Sequence, residues 1–203
     1  MKIICIGRNY AEHAKEMNSP VPSEPIFFLK PDTAIIKNNL PFYYPDFSKE
    51  IHHEVELVLK INKPGKNIDE QFAYKYYDEI GIGIDFTARD IQMKCKEKGL
   101  PWEKAKAFDG SAPIGKFIEK KKIADLNNIN FNLLINGKMV QKGNTKDLLF
   151  SFDAIIAYVS KFFTLKKGDL IYTGTPEGVG QVRIGDKLIA SIENEILLSF
   201  EIK

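Results

Sequence analysis

An α+β domain built on a rolled or barrel-like sheet is the fold this sequence predicts, on three observations. Short strand-like segments are many and helix-like segments few. The strands do not alternate regularly with long helices, which disfavours a doubly wound parallel sheet. No repeat of 20–50 residues and no linker divides the 203 residues, so residues 1–203 are expected to form one domain.

The elements follow from local pattern. Residues 2–6 read as a short buried strand, a Gly-Arg-Asn turn follows, and Tyr10 to Met17 reads as a short helix. Pro20, Pro22 and Pro25 then force extended or irregular chain. Short apolar segments come next, at Ile26–Leu29, Ala34–Ile36 and the proline-bracketed Phe42–Tyr44. Glu54–Ile61 is strand-like and ends at Pro64-Gly65. Residues 69–78 are expected to be helical, Ile80–Phe86 a strand and Ala88–Lys96 a helix. Phe131–Ile135 and Lys138–Gln141 flank Asn136-Gly137, a strong hairpin signal. In residues 151–163 the apolar positions fall at helical spacing, with Ser151 or Asp153 as caps. Asp169–Tyr172, Lys187–Glu193 and Ile196–Ile202 close the chain as strands, the last two joined by a tight turn at Asn194-Glu195.

Composition excludes several classes. Lys plus Arg number 29 against 27 Asp plus Glu, a formal charge of +2, so neither nucleic acid nor an anionic membrane is expected as partner. A chain of this length buries about 70% of its unfolded surface and needs no disulfide to fold. Cys5 and Cys95 form no CxxC pair and are read as reduced thiols. The apolar run at residues 1–6 is too short for a signal-peptide core or a membrane span, and a cytoplasmic location is expected.

Five segments could carry chemistry. In His52-His53-Glu54-Val55-Glu56-Leu57, alternation puts Glu54 and Glu56 on one strand face; this is either a solvated face or half of a cation site. One of the two histidines shares that face and is read as packing or support. In Ile80-Gly81-Ile82-Gly83-Ile84-Asp85, two glycines beside Asp85 suggest close approach by a ligand or another backbone. A third carboxylate near Glu54 and Glu56 would complete an oxygen-only site suited to Mg²⁺ or Mn²⁺; otherwise Asp85 caps the next helix. His13 and Glu16 stand three apart on a helix, a spacing that lets a carboxylate orient an imidazole as general base and that also occurs on ordinary exposed helices. The run Thr173 to Gly180 lacks the Gly-Lys-Ser/Thr ending of a nucleotide phosphate loop, but its amides and hydroxyls could hold a small carboxylate. Arg89 and Gln92 lie one helical turn apart just after Asp85, and the lysines near Trp102 would ordinarily be solvated.

Singly these signals are weak, but their order is specific. GRNYxxHxxE, FLKP at Phe28 to Pro31, HxExEL, GxxxDxTARDxQ, WxxxKxFD, NGxxxQxGxT and GDLIxTGTPxGVG run from Gly7 through Gly180. This series resembles the fumarylacetoacetate hydrolase family, and the length resembles its compact branch of acylpyruvate hydrolases and oxaloacetate decarboxylases. The resemblance implies the family's mixed β-roll, generally as a homodimer. It implies Glu54, Glu56 and Asp85 as ligands for Mg²⁺ or Mn²⁺, with His13 and Glu16 as a water-activating dyad on a lid segment. It also implies Lys106 as the group stabilising developing negative charge, and Arg89, Gln92 and Thr175 as lining a substrate pocket. The expected activity is cleavage of a C–C bond in a small 2-oxo acid, of the acylpyruvate or fumarylpyruvate type, through a pyruvate enolate. Oxaloacetate decarboxylation, and isomerisation or tautomerisation of 2-oxo dicarboxylates, use the same enolate and are the alternatives. A metal-stabilised binding protein is the alternative from another class, though it would need none of His13, Glu16 or Lys106. The chain departs from the family at Gly115-Lys116 and at Gln181-Val182-Arg183, where prolines are frequent; both are expected at the pocket rim or in a loop.

Overall fold

The computed structural model describes residues 1–16 and 20–203. In chain order the elements are β1 (Ile3–Gly7), α1 (Ala11–Glu16), β2 (Ile26–Lys30), β3 (Ile35–Ile36), β4 (Ile51–His53), β5 (Val55–Ile61), α2 (Glu70–Ala73), β6 (Tyr77–Ile84) and β7 (Thr87–Ala88). They continue with α3 (Arg89–Glu97), α4 (Glu103–Lys106), β8 (Ala112–Glu119), β9 (Asn130–Ile135), β10 (Lys138–Asn144), α5 (Phe152–Ser160), β11 (Leu170–Tyr172), β12 (Gly180–Gln181), β13 (Lys187–Ile192) and β14 (Glu195–Glu201). The last expected residue of the first helix, Met17, lies outside the described residues.

A seven-stranded sheet has the order β2-β1-β11-β5-β6-β8-β3, a four-stranded sheet the order β10-β9-β13-β14, and a three-stranded sheet the order β12-β4-β7. Pairings are antiparallel except β1 with β11 and β3 with β8, the mixed α+β arrangement expected. The main core lies between the two larger sheets. Ile4, Ile6, Leu57, Leu59, Ile80 and Ile82 meet Phe131, Leu133, Leu188, Ala190, Leu198 and Phe200 there, with Ile155 and Val159 of α5. The other face of the seven-stranded sheet buries a smaller cluster of Ile3, Cys5, Val58, Ala112, Ile114, Leu170 and Tyr172. Strands β1, β5 and β6 are therefore covered on both faces, which is why they are almost continuously apolar.

The Asn136-Gly137 hairpin forms, both residues taking positive φ (52° and 79°) as its tight turn requires. The β13–β14 turn sits one residue earlier than expected, at Glu193-Asn194, because Glu193 takes the left-handed conformation (φ 49°) and its carboxylate accepts from the Asn130 amide at 2.7 Å. Helix α5 is capped by Ser151, whose hydroxyl accepts from Ala154 N. It ends at Ser160, not residue 163, where Phe162 and Phe163 turn to pack on Phe27 at centroid distances of 5.4 and 5.6 Å. The helix expected over 69–78 is only Glu70–Ala73 and one 3₁₀ turn, since Tyr77 already pairs with Ile61 of β5. Strand β8 was not anticipated: Pro113 and Gly115 disguise it.

The two β6 glycines make room for protein rings, correcting the expectation of space for a ligand. A Cβ at Gly83 would meet the Tyr172 ring at 2.7 Å, and one at Gly81 the Phe117 ring at 2.9 Å. Gly115-Lys116 and Gln181 lie on strands and Val182-Arg183 in the loop after β12, and none of them lines the candidate site described next, so these departures are not at its rim.

Candidate active site

Strand pairing assembles the acids. Glu56 of β5 stands opposite Gly83 of β6, and the Asp85 amide donates to Glu54 O at 2.8 Å, so Asp85 is brought from a separate strand to the neighbouring carboxylates Glu54 and Glu56. One oxygen from each of Glu54, Glu56 and Asp85 lies within 4.8 Å of the others, and all three residues are buried. Asp85 is no helix cap; Ala88 holds the cap position of α3 and makes no side-chain cap bond.

Cations surround this trio. Lys106 Nζ bridges Glu54 Oε2 at 2.7 Å and Asp85 Oδ2 at 2.8 Å. Arg89 donates to Glu54 Oε1 at 2.7 Å and to Gln92 Oε1 at 2.6 Å, and Thr87 Oγ1 adds a third donor to Glu54 at 3.0 Å. Lys30, wholly buried, lies 2.8 Å from Asp85 Oδ1. Its ammonium also donates to the carbonyls of Phe86, Lys106 and Ser111 and to the Ser111 hydroxyl.

The titration directions follow from this layout. Burial pushes Glu54 up, but Lys106, Arg89 and His13 outweigh it and hold Glu54 well below the carboxylate range. Glu56 is pushed well above that range by burial and by the charges of Asp85 and Glu54, only partly offset by the Gly174 amide and Lys106. Burial opposes the Lys106 charge, yet Asp85 and Glu54 raise its pKa overall.

Glu56 is thus a buried carboxyl facing two other acids, with the Gly174 amide (2.7 Å) as its hydrogen-bond donor. Three buried oxygen donors with mutual repulsion fit a hard divalent cation, which would remove that repulsion. The residues present fit Mg²⁺ or Mn²⁺.

His13 of α1 is buried, and its Nδ1 lies 3.1 Å from Glu16 Oε2. The second Glu16 oxygen accepts from Gly178 N at 3.0 Å, tying α1 to the loop between β11 and β12. In this loop Gly174 (φ 102°) and Gly178 (φ 92°) are required: a Cβ would strike Asn9 at the first and the Val140 carbonyl at the second. Two of its amides hold the protein's own carboxylates, Glu56 and Glu16, where the sequence suggested a ligand carboxylate. The Thr175 hydroxyl accepts from Gln141 Nε2 at 2.9 Å.

A cavity of about 510 Å³, open solvent at its mouth included, is lined by His13, Glu54, Glu56, Asp85, Arg89, Gln92, Lys106 and Thr175, together with Arg8, Phe28, Lys96 and Trp102. Glu16 stands behind His13. All nine residues singled out in the sequence therefore belong to one place. His52 and His53 stand outside this lining: burial lowers the His52 pKa to about 4, and His53 Nδ1 lies 2.9 Å from Gln141 Oε1, so His53 supports the glutamine that holds Thr175.

Lys30, Asn9, Ser111 and Gln141 were given no role from sequence. Lys30 stood in the FLKP motif and Gln141 in NGxxxQxGxT, and motif membership was the available signal. Asn9 is fully buried: its side-chain amide donates to Thr173 O (2.8 Å) and Phe150 O (3.1 Å), and its Oδ1 accepts from Phe150 N (2.8 Å).

Among the described residues no helix is long and apolar enough to cross a membrane. The family profile described as fumarylacetoacetate (FAA) hydrolase C-terminal matches residues 2–198. The chain is 45% identical over 201 residues to the mitochondrial oxaloacetate tautomerase FAHD1 of Mus musculus, covering 99% of this chain and 91% of that protein. It is 43% identical over 197 residues to the oxaloacetate tautomerase YcgM of Escherichia coli K12, covering 97% and 90%. The crystal structure of fumarylpyruvate hydrolase from Pseudomonas aeruginosa in complex with Mn²⁺ and pyruvate superposes with a TM-score of 0.93 at 37% identity, covering 100% of this chain and 89% of that one. The family's named members are enzymes, and this chain, matched along nearly its whole length, belongs to the fumarylacetoacetate hydrolase family.

Proposed function

We propose that the protein is a Mg²⁺- or Mn²⁺-dependent enzyme that interconverts the enol and keto forms of oxaloacetate. The observation that carries this reading is one cavity holding a buried three-carboxylate cluster, a lysine joined to it and a histidine with one ring nitrogen held. The relatives named above favour oxaloacetate tautomerisation over the acylpyruvate hydrolysis expected from the sequence.

Held by Glu54, Glu56 and Asp85, the divalent ion would supply a Lewis acid that polarises the 2-oxo group. Lys106 keeps a fixed positive charge beside the place where the enolate forms, so it stabilises the transition state more than the ground state. Glu16 accepts Nδ1–H of His13, which fixes the tautomer and leaves Nε2 to exchange a proton with substrate. In ketonisation the unprotonated His13 Nε2 first takes the enol hydroxyl proton, leaving the enolate beside Lys106. The imidazolium so formed then returns that proton to C3, the C2=C3 electron pair becoming the new C–H bond as C2–O becomes the carbonyl. Buried Arg89 and Gln92, locked to each other, present a fixed polar wall for the substrate carboxylate.

A second reading, hydrolysis of acylpyruvates, is favoured by the fumarylpyruvate hydrolase likeness and by the same His13, which would then take a proton from water. A panel of enol-oxaloacetate, acetylpyruvate and fumarylpyruvate, each with Mg²⁺ and with Mn²⁺, separates the two. Tautomerisation should exceed hydrolysis in kcat/KM by about tenfold or more, and His13→Ala should lower it about 10²–10⁴-fold. Dominant hydrolysis would hand the assignment to the second reading. Unchanged tautomerisation in His13→Ala would remove His13 from the proton path.

A further inference from the structure

The inner cations of the cavity are all committed to acids: Arg89 and Lys106 to Glu54, Lys106 and Lys30 to Asp85. Two more basic side chains line the same cavity, and among the described residues neither makes an ion pair or side-chain hydrogen bond. These are Arg8 and Lys96.

Their placement is built into the fold. Arg89, Gln92 and Lys96 fall at i, i+3 and i+7 on α3, hence on one stripe, with the first two buried and Lys96 exposed at the outer end. Arg8 comes from the turn after β1 and takes the left-handed conformation at φ 58°, which is strained for a non-glycine residue. The turn has no freedom to relax. Gly7 is paired to Ile26, while Asn9 is pinned by its side-chain bonds and by Leu149 N donating to its carbonyl at 2.9 Å. A glycine would meet the backbone requirement without strain, so the arginine is there for its side chain. Arg8, Arg89, Lys96 and Lys106 thus line one cavity, and burial and the charges of the other three lower the Lys96 pKa.

We propose that Arg8 and Lys96 form the subsite for the second, distal carboxylate of a short 2-oxo dicarboxylate, and so set selectivity for dicarboxylic over monocarboxylic substrates. This rests on the functional reading above, in which the 2-oxo acid end lies against the inner cluster. A distal carboxylate supplies the anion these side chains lack, and a neutral acyl end does not. Charge-assisted bonds of this kind contribute about 1.5–3 kcal/mol each, or roughly 10–150-fold in affinity.

The test uses Arg8→Asn, Lys96→Gln and the pair together, asparagine being chosen because it tolerates the left-handed backbone. Oxaloacetate and acetylpyruvate are compared by kcat/KM. Inhibition by 3,3-difluoro-oxaloacetate, a dicarboxylate that cannot enolise, is compared with inhibition by oxalate, which has no distal group. The double variant should lower the oxaloacetate-to-acetylpyruvate ratio about 100-fold, mainly through KM. Its inhibition constant for difluoro-oxaloacetate should rise by a similar factor, well beyond any change for oxalate. Equal losses for both substrates and both inhibitors, or an unchanged ratio, would overturn the subsite. If the unaltered protein fails to turn over oxaloacetate, the functional reading falls alone, because the inhibitor comparison still decides the subsite.

Discussion

Glu56→Gln is expected to weaken Mn²⁺ binding about 100-fold or more and to remove nearly all turnover, while the metal-free variant melts no lower than the unaltered protein. Glu56 is 1% exposed, faces Asp85 and Glu54, and is pushed towards its neutral form by burial and both charges. Glutamine has nearly the same volume and can still accept from Gly174 N, so packing and the turn survive. It removes a like charge that burial disfavours, so metal-free stability is not reduced. It also removes one of three anionic oxygen donors, the one with no lysine or arginine bonded to it, and a hard cation loses accordingly. Calorimetric titration with Mn²⁺ and thermal melting with and without metal read the two halves of this prediction. A variant that binds Mn²⁺ as before would remove Glu56 from the metal site.

Lys106→Met should give the opposite pattern: metal binding retained or tightened, turnover lowered about 10²–10³-fold. In the metal-free chain the ammonium bridges Glu54 and Asp85. Deleting it leaves Glu54 with Arg89 alone and Asp85 with Lys30 alone, so the buried negative charge is less fully compensated and metal-free stability falls. A divalent ion replaces that compensation, so Mn²⁺ should raise the melting temperature of the variant by more than it raises that of the unaltered protein. Turnover falls because the charge next to the forming enolate is gone, an effect of the size seen on removing one oxyanion-stabilising group. Loss of metal binding in Lys106→Met would mean that the lysine positions the acids and does not act on substrate. Together the two substitutions separate holding the ion from holding the developing charge.

Local pattern exposed much of this site because its parts lie at short spacing. Glu54 and Glu56 alternate on one stretch of chain, His13 and Glu16 share a helix face, and Arg89 and Gln92 stand one turn apart with their hydrogen bond at 2.6 Å. What stayed hidden depends on contacts across long stretches of chain. Lys30 reaches Asp85 and the Ser111 carbonyl only because the FLKP strand runs beside β1, and a single lysine at a strand end carries no local signal of this. Gln141 sits on a hairpin strand whose register shifts between Met139 and Gln141, so no local alternation marks it as inward, yet it joins His53 to Thr175. The fold divides the same way. Strands rich in isoleucine and valine and the Asn136-Gly137 turn were visible, whereas β8 carries a proline and a glycine and declares itself only through its partners β6 and β3. Gly81 and Gly83 were rightly marked as positions of close approach, but which group approaches is a tertiary fact: Phe117 and Tyr172.

Stripping the protein with EDTA shows whether this cluster of acids works by holding one divalent ion beside Lys106 and His13. Enol-oxaloacetate turnover is then followed while Mn²⁺ is added back, with bound Mn²⁺ counted by electron paramagnetic resonance. The stripped protein should show no turnover above buffer and recover in proportion to occupancy, completely at one Mn²⁺ per chain. Full turnover in the stripped, metal-free protein would rule out a catalytic ion at this cluster.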